Sequence, residues 1–243
     1  MRAIRLVAGR ELRALFDAPV AYVATVASLL VVLSLFSTEF FLAGRLDLTP
    51  LFRWIPAAAA VLLPALAMRL WAEERRRRTF ELWVTLPLSS VELVLGKFLA
   101  GVGVWLLFLL GTSPAVLLLY ALGEPDGGLI LSSYLGALLL GALLLAQALF
   151  LSSLTREVVV AFLTGCAGSV LFLASGAPAL TAILDGLAPE LAPGTLLADN
   201  LSALLRYDAF CAGYIGLGES AWLVGTAAVF LALNTWTIRN IRD

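Results

Sequence analysis

Histidine is absent from the 243 residues and cysteine occurs only twice, so the chain has no imidazole to serve as general base or metal ligand. A His-based nucleophile triad and a His/Cys zinc site are excluded on composition alone. Charge is scarce as well: Asp, Glu, Lys and Arg make up 14% of the sequence, against about a quarter in an ordinary soluble domain. No G-x-x-x-x-G-K-[ST] phosphate loop occurs, because the Gly96-Lys97 pair has Val91 where the first glycine would stand and Phe98 where the hydroxyl would. The chain is not expected to hydrolyse ATP, to hold a metal or to bind a cofactor of its own, and no catalytic residue is assigned. No carboxylate pair lies deep in an apolar run, and the ionisable groups inside such runs, Glu39 and Arg69, sit near their ends. Ion-coupled transporters usually place charge or unwound helix near mid-membrane, and that feature is missing here.

What is present is apolar. Sixty-one per cent of the residues are hydrophobic and the mean hydropathy is +0.99. Crossing about 30 Å of hydrocarbon takes about 20 mostly apolar residues in a helix. Six windows qualify, Val20 to Leu42, Ile55 to Leu70, Phe98 to Leu122, Leu129 to Leu154, Val158 to Ala177 and Ala221 to Ile238. The second is short, with Arg69 able to snorkel and Trp54 and Trp71 placed as interfacial anchors. The runs are continuous rather than alternating, which argues against strands. The sequence therefore predicts an all-α, polytopic membrane protein forming one domain over residues 1–243, with six transmembrane helices. The first run offers no small-x-small cleavage site and is expected to stay as a helix.

Charge orients the bundle. With the N-terminus in the cytoplasm, only Arg45, Arg53 and Arg206 of the 16 Lys and Arg residues fall outside. The rest cluster on the inner side, as the positive-inside rule requires. Both termini are then cytoplasmic, and the expected location is a bacterial inner membrane. Cys166 falls within the fifth window and Cys211 in the last outer loop, so the two are not expected to pair.

Three stretches lie outside the windows. Ile4, Val7, Ala8, Leu12, Leu15 and Phe16 recur at helical spacing, with Arg2, Arg5, Arg10 and Arg13 on the other faces. Such a helix over residues 1–18 would lie in the cytoplasmic headgroup layer, arginines toward phosphate. The stretch from Glu73 to Lys97 is the one long inner connection. Glu73 and Glu74 precede Arg75 to Arg78, then come Phe80, Leu82, Trp83, Leu86 and Pro87, and Ser89 stands three residues before Glu92 in capping-box spacing. It reads either as a topological, lipid-binding segment or as a partner surface. Outside, the segment from Pro178 to Ser220 holds apolar pieces, Leu180 to Leu187 and Leu196 to Leu205, too short to cross and expected to dip into the outer leaflet or cap the bundle. Within the spans, Ser113, Gln147 and Asn234 are polar enough either to bond neighbouring helices or to line a path.

A resemblance then enters. Pro64-Ala65-Leu66-Ala67-Met68-Arg69-Leu70-Trp71-Ala72-Glu73-Glu74-Arg75-Arg76, continuing through Thr79-Phe80-Glu81-Leu82 and Thr85-Leu86-Pro87-Leu88-Ser89 to Leu95-Gly96-Lys97-Phe98, is similar to the first cytoplasmic loop of ABC type 2 permeases of the gliding-motility-associated branch. Arg10-Glu11-Leu12, Ala18-Pro19-Val20-Ala21-Tyr22 and Val160-Ala161-Phe162 support the likeness, which runs end to end. One departure is Arg78, where family members often carry a small residue before the Thr79 equivalent. The resemblance implies the membrane subunit of an exporter, working by alternating access with a second permease subunit, a copy or a relative. It implies a separate cytoplasmic ABC ATPase, holding the ATP and Mg, docked on a coupling helix built from Glu73, Glu74, Arg75, Arg76, Phe80, Glu81, Leu82, Trp83, Leu86 and Pro87. It implies an outer gate between the fifth and sixth spans, and an extracytoplasmic accessory protein is a further candidate partner; nucleic acid is not one. The alternative is an ATPase-linked component of a motility or envelope-assembly machine that moves no solute.

Overall fold

The computed structural model describes residues 2–17, 19–43, 47–76, 88–187 and 192–242. Every regular element among them is a helix. In chain order these are α1 (Arg2–Asp17), α2 (Pro19–Ala43), α3 (Thr49–Leu70), α4 (Ala72–Arg76), α5 (Ser90–Gly111), α6 (Ser113–Leu122), α7 (Gly127–Leu154), α8 (Val158–Ala174), α9 (Pro178–Leu187), α10 (Pro193–Leu201), α11 (Ala203–Cys211) and α12 (Leu217–Arg242). Among the described residues five stretches are long and apolar enough to cross a bilayer: Ala21–Leu42, Thr49–Arg76, Ser90–Leu122, Gly127–Leu154 and Leu217–Ile241. A sixth exists only if α8 and α9 are taken together across a bend of 77°.

The departures from the expected windows have local causes. The fifth window does not run straight to Ala177: α8 stops after 17 residues at Ala174. Pro178 cannot donate to a continuing helix, and the Ser175 hydroxyl turns back onto the carbonyl of Phe172 (3.1 Å). The second window is not short, because Pro50, in the first turn where no intrahelical donor is needed, lets α3 begin at Thr49 and reach 22 residues. The third begins at Ser90 rather than Phe98. Ser89 Oγ accepts from the Glu92 amide (3.2 Å) while the Glu92 carboxylate accepts from the Ser89 amide (3.1 Å), closing the capping box. That start moves Lys97 out of the loop and onto a helix. Trp71, expected at an interface, is fully buried.

The centre of the bundle is α3 with α7. Each has 61% of its apolar window buried, against 17% for α2 and 22% for α12, which leave broad faces for lipid or another subunit. Both cysteines are free. One close approach fixes α5 against α7. The Trp105 indole donates to the Ala137 carbonyl (3.1 Å) and stacks on Phe108 with centroids 4.9 Å apart, and its ring lies where a side chain at Gly141 would have to stand. Gly141→Ala is expected to displace a fully buried tryptophan and cost about 1–3 kcal/mol. Thermal unfolding of the full chain in detergent reads this as a lowered midpoint; an unchanged midpoint would show that the seam yields freely.

Candidate functional site

The expected docking segment leaves the bundle at the end where α1, α4 and the last turns of α7 and α12 gather. Arg77, Arg78, Phe80, Glu81, Leu82, Trp83, Leu86 and Pro87 lie outside the described residues, as does the side chain of Arg2, so the site is the base from which that segment springs. Its first strut is a break. The backbone leaves helical geometry at Trp71, which separates α3 from α4. Ser152 on α7 meets both sides of the gap: its hydroxyl donates to the Ala67 carbonyl (2.9 Å) and accepts from the Ala72 amide (3.2 Å). Arg75 then donates to the carbonyl of Ser153, placing a cation at the C-terminus of α7, where the helix dipole favours one. Glu73 pairs with Arg69 one turn earlier (3.3 Å), and Arg76 is exposed.

The second strut is Lys97. Its ammonium, with no exposed side-chain surface, lies 2.8 Å from Glu74 Oε1 on α4 and 3.4 Å from Glu11 Oε2 on α1. It donates to the carbonyl of Leu70, the last residue of α3 (2.8 Å), and sits 4.8 Å from the centre of the Trp71 ring. One cation thus ties four helices, caps the C-terminus of α3 and packs against an aromatic face. The carboxylate on α1 explains a feature of that helix. Val7, Glu11 and Leu15 form one buried stripe, and Val7 packs so closely on α5 that only glycine fits at position 96. Of the stripe expected in the headgroup layer, Val7 and Leu15 are covered by protein, Ile4, Ala8 and Leu12 partly so, and Phe16 is exposed with Leu6, Arg5, Arg10 and Arg13.

At the other end of the bundle, α9, α10 and α11 replace the two pieces expected there. Asp185 on α9 accepts from the Thr195 hydroxyl (2.7 Å) and from the amides of Gly194 and Thr195 at the start of α10. α11 is drawn into the bundle: Ala203, Tyr207 and Phe210 are buried, and the Phe210 carbonyl accepts from Ser132 on α7 (2.8 Å). Arg206 lies 3.9 Å over the Trp222 ring of α12 and donates to the carbonyls of Ser202 and Asp199.

The three polar candidates within the spans lie apart. Gln147 is buried in the α7–α8 seam, accepting from Ser169 (3.2 Å) and donating to the Gly165 carbonyl (3.4 Å). Ser113, after the break between α5 and α6, is exposed on an apolar groove of about 510 Å³ that Leu110, Leu131 and Leu138 also line. Asn234 is fully buried on α12, and its amide has no hydrogen-bond partner among the described residues. Neither Gln147 nor Asn234 reaches the surface of the single chain.

The sequence reading passed over Lys97, Glu11, Ser152 and Tyr207 as site residues. Glu11 carried a usable signal, a lone carboxylate on the same helical face as Val7 and Leu15, which demands a buried cation. Removing that cation strands two carboxylates: Lys97→Met is expected to cost about 3–5 kcal/mol, and adding Glu11→Gln with Glu74→Gln to recover most of it. Melting of the single and the triple variant in detergent measures this, and a wild-type midpoint for Lys97→Met alone would deny the cluster its role.

Residues 50–206 match the family model described as ABC-2 family transporter protein. No curated protein matches the chain.

Proposed function

The chain belongs to the ABC-2 transporter family, its membrane component rather than its catalytic one, and on that premise we propose that it is the permease subunit of an exporter driven by a separate cytoplasmic ATPase. The family implies partnership with an ABC ATPase. The observation that carries the rest is the braced base of the loop. Residues 77–87 leave from α4 and return to α5, and both ends are locked into the bundle, by Arg75 on the Ser153 carbonyl and by Lys97 on Glu74. A force delivered by a partner docked on Phe80, Glu81, Leu82, Trp83, Leu86 or Pro87 to the two anchored ends of the loop would thus reach α1, α3, α5 and α7. The chain has no phosphate loop, so the force has to come from elsewhere.

In this reading the basic end faces the cytoplasm with both termini, the membrane is a bacterial inner one, and α8 with α9 makes a bent fifth span of six. The exposed arginines of α1 face lipid phosphate, and Glu73 and Arg76 flank the dock. The sparsely buried α2 and α12 offer faces for a second permease subunit. Reversing a 1:99 population of inward and outward states takes about 5.5 kcal/mol, which ATP-dependent docking can supply. The motif likeness favours the gliding-motility-associated branch of the family; a machine of that kind that moves no solute would use the same dock.

Trp83 is the expected anchor, since large aromatics dominate such interfaces. In the full complex reconstituted in lipid vesicles, Trp83→Ala is expected to weaken ATPase association about 30-fold, the equivalent of about 2 kcal/mol, and Phe80→Ala or Leu86→Ala to lower ATP turnover per complex. Undiminished association in all three variants would remove the dock from this loop.

A further inference from the structure

The hydroxyl of Tyr207, on α11, donates to the main-chain carbonyl of Phe52, on α3, at 2.8 Å. That acceptor is available for a sequence reason. In a helix the carbonyl of residue 52 would take the amide of residue 56, but residue 56 is proline and has no amide hydrogen to give. A carbonyl left without a donor inside an apolar bundle is costly, and a fully buried tyrosine from a different segment supplies the missing proton. The other ties of α11 run to α7, through Ser132, and to α12, through Arg206 on Trp222. The tie to α3 is different in kind, because α3 continues through the Trp71 turn into α4, where Lys97 grips Glu74 at the foot of the loop.

We propose that Tyr207 is a positioning residue that keys the α11 plug to the proline-freed carbonyl of α3, so that a tilt of α3 imposed at the loop base loosens or reseats the plug at the opposite face. The inference rests on the proposed docking of an ATPase at that loop. α3 spans about 33 Å at 1.5 Å per residue and runs unbroken from Thr49 to Leu70 with Pro56 and Pro64 inside it, so a displacement of its foot reaches the Phe52 carbonyl through the packing that buries the helix rather than through stiffness alone. A hydrogen bond is lost when its length or angle departs from a narrow range, which makes this contact a switch rather than a spring. Ring packing alone would tolerate such sliding.

Cys211, half-buried one turn along the same helix, is a built-in reporter. Because its thiol also meets the Tyr207 hydroxyl and Ser133, the test pairs Tyr207→Phe with Pro56→Ala, which leaves those contacts in place. The experiment uses the full chain with Cys166→Ala, co-purified with its cytoplasmic ATPase and reconstituted in vesicles. A membrane-impermeant maleimide is offered from the face bearing α11, with and without Mg-ATP. The parent should label slowly and change its rate on ATP addition. Tyr207→Phe, which deletes one oxygen and keeps the ring, should label about 5-fold faster and lose the response to ATP. Pro56→Ala, which restores the amide that competes for the same carbonyl and leaves Tyr207 in place, should shift labelling in the same direction. Parent-like labelling of both variants overturns the key. If the parent ignores Mg-ATP while Pro56→Ala and Tyr207→Phe both still label faster, the key stands and the drive from the docking loop falls; faster labelling of Tyr207→Phe alone reports only its own contact with Cys211 and overturns the key.

Discussion

A buried ammonium sets the terms for one end of this molecule. Lys97 has no contact with solvent, so its charge is tolerable only while carboxylate and carbonyl oxygens surround it. Those oxygens come from Glu11, Glu74 and Leu70, that is, from α1, α4 and the end of α3, while the lysine itself rides on α5. None of these helices can move far without exposing a charge that the interior cannot hold. Buried ion clusters of this kind often add little net stability over an apolar equivalent; what the geometry gives here is four helices that share one cation.

The neighbouring contacts obey the same rule in neutral form. At three interruptions or ends of helices in this apolar bundle, a side chain from another element supplies the missing hydrogen-bond partner. Ser152 spans the gap at Trp71, Arg75 caps α7, and Tyr207 occupies the carbonyl that Pro56 leaves open. These repairs are long-range in sequence and lie at the two ends of α3, one at the loop base and one at the plug. α3 is also among the most buried helices of the bundle, which makes it the shortest route between the two faces. Asn234 is the exception, a buried amide with no partner among the described residues.

Much of the architecture was legible in the residues. Five of the apolar windows fell on helices long and apolar enough to span, the capping box at Ser89 and Glu92 marked a helix start, and the amphipathic spacing of residues 4–16 produced α1. These features are local, depending on a few consecutive residues and on the cost of placing a peptide group in hydrocarbon. The errors were also local in origin. Hydropathy places a span start at Phe98 because it weighs Lys97 as a charge that must be wet, whereas a pair of carboxylates keeps it dry. The window through Ala177 looked continuous because apolar residues continue across the bend that precedes Pro178.

The residues by themselves determined that the chain is helical, that it lives in a membrane, that it carries no phosphate loop and that its basic charge gathers at one end. Those properties are sums over composition and short spacing, and no fold is needed to evaluate them. Only the tertiary structure decided which cation meets Glu11, which hydroxyl completes the ladder at Pro56, and that Gln147 joins helices within the chain. Partners that lie as many as 155 residues apart are chosen by which helices become neighbours, and that choice follows from filling the whole core at once rather than from any one segment.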